Sequence, residues 1–381
     1  MTPAAAVGSG PVSGLLERWR RSRDRLLASD RFRRWAATFP LTRPVARRRV
    51  RALFDLAAGF VYTQVLTVCV ELGLFERLAK APETAESLAA HYHMPPESMA
   101  RLLDAATSLK LLEDRGGTVY GLGKLGAAMV DNPGVVEMVR HHRLLYADLA
   151  DPLALLNGTQ TSSELAAYWA YAKTGSPTGL KAEQVAQYSL LMAASQPMIA
   201  EEILNAFSFA KVQHVMDVGG GEGAFLTALA SRGGPPQLSL FDLPSVVKRA
   251  EQRLHAANLG QRITLHGGDF FRDSLPQGAD LITLIRIVHD HSDEQALVLI
   301  KAIHAALPPG GRLLLAEPMA DTPGAEPIGA AYFGFYLLAM GSGRARSRAE
   351  IRDLLTQGGF SKVRSLRTNT PLLACLLLAE R

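Results

Sequence analysis

The sequence predicts an open, doubly wound α/β sheet behind a helical N-terminal domain. From Gln213 onward, seven short apolar segments alternate with helical stretches, the pattern of strands joined by crossover helices. The last two are separated only by Asn369-Thr370-Pro371, too short for a crossover, so the final strand must run antiparallel to its neighbour. The chain has 381 residues, more than one domain of ~150 residues needs, and suits two. The strands are expected at Gln213–Val218, Gln237–Phe241, Arg262–His266, Ala279–Ile285, Arg312–Ala316, Lys362–Thr368 and Leu372–Ala379.

Composition narrows the class. With 48% hydrophobic and 20% charged residues, disorder along the whole chain is excluded. No apolar run reaches the ~20 residues of a membrane span. The best candidate, Leu56 to Val70, lies between Asp55 and Glu71, contains Gly59, Thr63, Gln64 and Thr67, and is not read as one. Two distant cysteines, Cys69 and Cys375, make neither a disulfide framework nor a zinc site and fit a reducing compartment. Met1 to Leu16 has no basic start followed by an apolar core, so no secretory signal is expected. The expected location is the cytoplasm, or the inner or photosynthetic membrane as a peripheral protein.

Charge marks off residues 1–50 as a basic arm. Glu17 to Arg51 holds thirteen Arg against Glu17, Asp24 and Asp30, a local net of +10 in a chain of +5. The basicity therefore belongs to the arm and not to the body. Leu16, Trp19, Leu26, Leu27, Phe32, Trp35 and Phe39 recur at loosely helical spacing, an aromatic face opposite an Arg-rich one. Such a segment suits peripheral contact with an anionic lipid surface. Nucleic-acid contact and a solvated arm without a partner are the alternatives.

Residues 51–140 read as a helical domain. Leu53 to Leu78 has helical spacing and is interrupted at Gly73; Thr84–Ala90, Pro95–Leu109, the turn Asp114-Arg115-Gly116-Gly117 and a strand at Thr118–Tyr120 follow. Helix, turn, helix and hairpin in that order suggest a winged helix. The would-be recognition helix offers only Arg101 and Lys110 against Glu97 and Asp104, too few cations for phosphates or base edges. No nucleic-acid partner is expected, and the module is read as one for packing and homodimerisation. Residues 141–205, with Tyr168, Trp169 and Tyr171, are expected to bridge to the sheet domain at 206–381.

The turn after the first strand, Asp217-Val-Gly219-Gly-Gly221-Glu222-Gly223, lets the backbone pass close to a ligand. It also meets the loose dinucleotide pattern. A pyrophosphate would sit at the helix N-terminus, where Glu222 would repel it. Asp217 and Glu222 instead suit a cationic ligand, such as S-adenosylmethionine with its sulfonium and ammonium. Asp242, ending the second strand, can accept both ribose hydroxyls. At Gly267-Gly268-Asp269-Phe270-Phe271, an acid beside an aromatic can bind the adenine amino group and cover its face; a plain turn with core aromatics is the alternative.

The fourth strand leads into Arg286-Ile287-Val288-His289-Asp290-His291-Ser292-Asp293-Glu294-Gln295. Ser292 and Gln295 make a capping box, with Asp293 and Glu294 in the dipole-favoured first turn. His289 precedes the cap, at the carboxyl edge of the sheet, and is read as a general base because imidazole titrates near neutrality, with a satisfied structural histidine as the alternative. A metal site on His289, Asp290, His291 and Asp293 would be crowded, and none is expected.

These motifs, taken in order with Glu317-Pro318, resemble those of the S-adenosylmethionine-dependent small-molecule O-methyltransferases, the plant caffeate and flavonoid type and its bacterial relatives. The resemblance covers nearly the whole chain after the arm. It implies a Rossmann-like class I methyltransferase domain of seven strands with an N-terminal winged-helix dimerisation domain. It implies that Gly219, Gly221, Asp242, Asp269, Phe270 and Arg286 contact S-adenosylmethionine, that His289 is the base, and that Glu317 orients it. The plant enzymes carry a second glutamate in a Gly-Lys-Glu-Arg-Thr stretch, where this chain reads Gly343-Arg344-Ala345-Arg346-Ser347. Ala345 cannot buttress the histidine, so its base strength or orientation must be set differently.

Within the family, Arg47 to Tyr62 resembles the carotenoid enzymes of phototrophic bacteria, which methylate the tertiary hydroxyl of hydroxyneurosporene or demethylspheroidene. An apolar acceptor agrees with the stretch Ala330–Met340 after the fifth strand, which is read as an acceptor wall or a buried core helix. Rival functions are a phenolic or polyketide O-methyltransferase, a carbon-methylating relative acting on a tetrapyrrole, a nicotinamide oxidoreductase and a winged-helix regulator.

Overall fold

The computed structural model describes residues 11–160, 162–174 and 195–381. The first ten residues of the arm and residues 175–194 of the expected bridging helices lie outside the described residues, as does the side chain of Tyr171. Two compact units form, Met1–Leu74 with Lys80–Lys124, and Phe75–Ala79 with Leu125–Arg381.

In the first unit, α1 (Pro11–Ala28) and α2 (Asp30–Thr38) precede α3 (Arg43–Glu71). Ser29 caps α2 by accepting from the Phe32 amide. α3 is long and apolar enough to cross a membrane by length and composition alone, a property that the interrupted run at Leu56–Val70 does not suggest. Its last turn buries Thr67, Cys69 and Val70. Gly73 turns left-handed (φ 61°) to start α4 (Leu74–Lys80), whose residues Phe75–Ala79 belong to the second unit. β1 (Glu83–Thr84), α5 (Ala85–His91), α6 (Pro96–Ser108), β2 (Leu112–Asp114) and β3 (Val119–Leu122) follow, the strands ordered β1-β3-β2. The expected helix–turn–helix–hairpin order is therefore present.

The second unit opens with α7 (Lys124–Ala127), α8 (Pro133–Asp148), α9 (Pro152–Leu156), α10 (Glu164–Thr174) and α11, residues 195–206. The buried Asp148 carboxylate ends α8 and starts α10, accepting from the Glu164 and Leu165 amides at 2.8 and 2.9 Å. The sheet follows as β4 (His214–Val218), β5 (Gln237–Asp242), β6 (Ile263–Gly267), β7 (Leu281–Ile285), β8 (Arg312–Glu317), β9 (Ser361–Leu366) and β10 (Cys375–Glu380). Its order is β6-β5-β4-β7-β8-β10-β9, with β10 antiparallel to both neighbours, as the short β9–β10 connection requires.

Side-chain alternation assigns the two faces. Met216, Ile282, Leu313, Leu315 and Leu377 pack with α14 (Asp293–Ala306) and α16 (Arg348–Gln357). Val215, Leu238, Leu281, Leu314 and Leu376 pack with α11, α12 (Ala224–Ser231) and α13 (Pro244–Ala256). A π-helical turn at Pro327–Tyr332 leads into α15 (Phe333–Met340).

Three expected borders fall inside helices: 50/51 in α3, 140/141 in α8 and 205/206 in α11. Shifts in charge and polarity mark where a helix changes its surroundings, and a helix crosses such a shift without breaking.

Candidate active site

The order of the sheet reverses at β4, which has β5 on one side and β7 on the other, and ligands bind at the carboxyl ends of strands beside such a switch. The glycine turn follows β4 and the His289 turn follows β7. The two touch at Gly219, whose φ is 71°. A Cβ added there would lie 2.6 Å from Ile287 Cδ1, so a side chain would force apart the loops that frame the crevice.

Asp242 reaches back from β5 into the glycine turn. Its Oδ2 accepts from the Gly221 amide at 2.8 Å and its Oδ1 from the Leu243 amide at 2.7 Å. Each oxygen keeps a lone pair, so the carboxylate can still accept ribose hydroxyls. Burial raises its pKa, opposed by those two amides and by Arg249. Asp217 is fully buried beneath the turn, where its Oδ1 accepts from Thr283 Oγ1 at 2.6 Å. Burial pushes its pKa up to about 7 against the Thr283 hydrogen bond, with Asp242 adding to the rise. A cationic ligand would favour its charged form.

Glu222 pairs with Arg249 at 3.3 Å and Arg253 at 3.4 Å, both from α13, so its charge is offset and it does not repel a phosphate as expected. Exclusion of a pyrophosphate rests instead on Asp242: the Gly221 amide, which would cradle a phosphate, is already given to a carboxylate.

Asp269 organises its own turn, its Oδ1 accepting from the Phe271 amide at 2.9 Å. Phe270 and Phe271 sit edge-on to each other and to His291, at centroid distances of 4.7, 5.8 and 5.0 Å. They also pack against the core, as the plain-turn alternative has it. Arg286, left-handed at φ 57°, donates its amide to Ala316 O at 2.8 Å. Its guanidinium charge opposes the rise in pKa of His289, Tyr332 and Tyr336, all three of which are raised on balance.

His289 and Glu317 meet as expected. His289 Nδ1 and Glu317 Oε2 are hydrogen-bonded, and Glu317 Oε1 accepts from the Ile287 and Val288 amides at 2.9 and 2.7 Å. The carboxylate, 1% exposed, is thus satisfied by three donors. His289 Nε2 lies 3.2 Å from Asp290 Oδ1, a neighbour to which sequence reasoning gave no role of its own. Burial works against the charged imidazolium, but Asp290 and Glu317 together outweigh it, and the pKa is raised above the ordinary histidine value. Of the other members of the crowded metal reading, Asp293 pairs with Arg344 and Arg346, and His291 packs on the two phenylalanines. The capping box of Ser292 and Gln295 is present.

The stretch Ala330–Met340 is partly buried in a core cluster and partly exposed. Tyr336, Leu337, Ala339 and Met340 are buried with Leu145 and Leu165 from α8 and α10. Two phenol–imidazole pairs that sequence reasoning missed join these helices: His141 Nε2 to Tyr336 OH and His142 Nε2 to Tyr332 OH, each 2.8 Å. Trp169 Nε1 donates to Tyr336 OH at 2.9 Å. Burial pushes His141 down to about 4, so the pair is neutral at physiological pH. Partners 190 residues apart in the chain leave no local signal in the sequence.

A glycine cradle, a ribose-ready carboxylate and a carboxylate-backed histidine at a sheet's switch point define a methyltransferase that binds S-adenosylmethionine. Residues 146–361 match the O-methyltransferase domain and residues 54–132 the O-methyltransferase dimerisation domain. The chain belongs to the S-adenosylmethionine-dependent O-methyltransferase family, and its dimerisation domain supports a homodimer. It is 44% identical to demethylspheroidene O-methyltransferase of Cereibacter sphaeroides over 94% of both chains. Identity to the Rhodobacter capsulatus protein of the same name is 41%, over 94% of this chain and 88% of that one. Among solved structures it resembles human N-acetylserotonin methyltransferase in complex with S-adenosylmethionine, with a TM-score of 0.69 and 26% identity over 87% of this chain and 98% of that one.

Proposed function

We propose that the protein methylates the tertiary hydroxyl of an acyclic carotenoid of the hydroxyneurosporene or demethylspheroidene type, in the cytoplasm at the face of a membrane. The observation that carries this is the identity to two demethylspheroidene O-methyltransferases along almost the whole chain. The apolar and phenolic surroundings of α15, whose polar groups are paired with one another, agree with an acceptor that offers little besides hydrocarbon and one hydroxyl.

S-adenosylmethionine supplies an electrophilic methyl group on a sulfonium. An aliphatic alcohol is too weak an acid to be ionised beforehand by an imidazole, so its proton leaves as the oxygen–carbon bond forms and the sulfur–carbon bond breaks. Glu317 holds His289 with Nδ1 as donor, leaving Nε2 to accept that proton. The resulting imidazolium is stabilised by Glu317 on one nitrogen and Asp290 on the other. Alignment of hydroxyl, methyl and sulfur supplies much of the acceleration.

The arm supports the membrane part of the reading. Trp19, Leu15 and Leu26 are at least half exposed on α1, among arginines whose sign matches an anionic lipid surface. A polyene acceptor dissolves in lipid, so such a contact would bring the enzyme to its substrate.

Incubation with methyl-labelled donor and a mixture of acyclic carotenols, phenols and tetrapyrroles tests the acceptor. The expected product is a carotenoid methyl ether, heavier by one methylene. Label in phenols alone, or on carbon, would overturn the carotenoid reading.

A further inference from the structure

We infer that Arg346 is a positioning residue for methyl transfer: with Glu317 it clamps from opposite sides the turn that carries His289. The inference rests on His289 being the base. Glu317 takes donors of the turn, the Ile287 and Val288 amides and the imidazole Nδ1. Arg346 takes its acceptors: Nη1 donates to Val288 O at 2.6 Å and Nη2 to His291 O at 2.7 Å. The carbonyl between them, His289 O, accepts from the Arg344 amide at 3.0 Å.

That last approach demands a glycine. Gly343 is left-handed (φ 79°), and a Cβ there would lie 1.9 Å from His289 O. The clamp has a common foundation, because Glu317 ends β8 and Arg346 O accepts from the Ala320 amide just beyond it at 2.8 Å, beside the Met319–Arg346 bridge. Separation of the two jaws is thus set by one piece of backbone.

Energetics single out the guanidinium. Arg346 is 1% exposed, whereas Asp293, its carboxylate partner at 2.8 Å, is 46% exposed. Burying a charge is costly unless it is paired and hydrogen-bonded, and here much of the compensation comes from two carbonyls of the catalytic turn. The same stretch carries Ala345, whose methyl packs into the apolar cluster of α8, α10 and α15.

Steady-state kinetics of Arg346→Ala, with donor affinity by calorimetry, tests the clamp. Loosened placement of the base should lower kcat about 10- to 100-fold, with acceptor KM and donor Kd changed less than about threefold. Guanidinium ion at low millimolar concentration should restore part of kcat to Arg346→Ala and none to His289→Ala. Should Arg346→Ala not fold, Arg346→Lys decides: it keeps the charge but not both carbonyl bonds, and should retain donor affinity with reduced kcat. Wild-type kcat in a folded variant, or donor affinity falling in step with kcat without rescue, would overturn the inference while leaving His289 as base. Full activity of His289→Ala would overturn the base assignment, and the clamp with it.

Discussion

His289 has a carboxylate at each ring nitrogen, Glu317 at Nδ1 and Asp290 at Nε2, and the pair make it a stronger base than a free imidazole. Burial alone would weaken it; the two charges prevail and raise its pKa. A general base works when neutral, so turnover is lost as pH falls through that raised value, with an acid limb above the ordinary ~6.5. Asp290→Asn removes one of the raising charges and should move the limb toward lower pH, which a kcat profile measures. An unmoved limb would dissociate Asp290 from the base. Stability has the opposite sense: the pairing of the imidazolium contributes below the unfolded pKa and is lost as pH rises through the folded one. His289→Ala should lower kcat at least ~10²-fold with donor affinity kept. His289 stood out in the sequence as a candidate base because it precedes the helix cap and no cap explains it. Asp290 was passed over because adjacency in the chain does not reveal which neighbour turns toward the ring.

The glycine turn and the β7 turn act as one element. Gly219→Ala would place a methyl against Ile287 in left-handed backbone, costing about 1 to 3 kcal/mol in strain before any overlap is counted. Donor affinity should fall at least ~10-fold, by calorimetry, and kcat should fall as well because the Ile287 amide is held by Glu317. Wild-type donor affinity in this variant would show that the close approach has no part in the site. At this scale the strands were read with ends within about two residues except at the last hairpin, where β10 begins at Cys375 and not Leu372. That segment's first residues connect the hairpin, and apolar character alone does not separate a strand from its approach. The pairing of Glu222 with Arg249 and Arg253 was likewise hidden, because the partners lie 27 and 31 positions away on the next crossover helix.

Charge is distributed on the scale of the whole molecule, with +10 between Glu17 and Arg51 and about −5 over the rest. Each arginine at an anionic bilayer contributes about 1 kcal/mol, so three engaged arginines separate anionic from neutral vesicles by about a hundredfold. The full chain should sediment with phosphatidylglycerol vesicles and much less with phosphatidylcholine vesicles. Salt should weaken the binding, and Trp fluorescence should shift to the blue as Trp19 and Trp35 enter the interface. Equal partition to both lipids would remove the arm as an electrostatic anchor, and salt-dependent DNA binding in its place would favour the nucleic-acid alternative.

Strand positions, the antiparallel last strand, the glycine turn and the candidate base were read from short-range rules, whereas the order of the strands in the sheet was not. Short apolar segments, a three-residue connection, glycines after a strand and a histidine before a cap are each contained within ten residues of chain. Tertiary structure alone decided how His289 is held, what neutralises Glu222 and which imidazoles meet the phenols of Tyr332 and Tyr336. Those are contacts between charged or polar groups on separate elements, and a buried polar group takes whichever partner the packed fold brings to it.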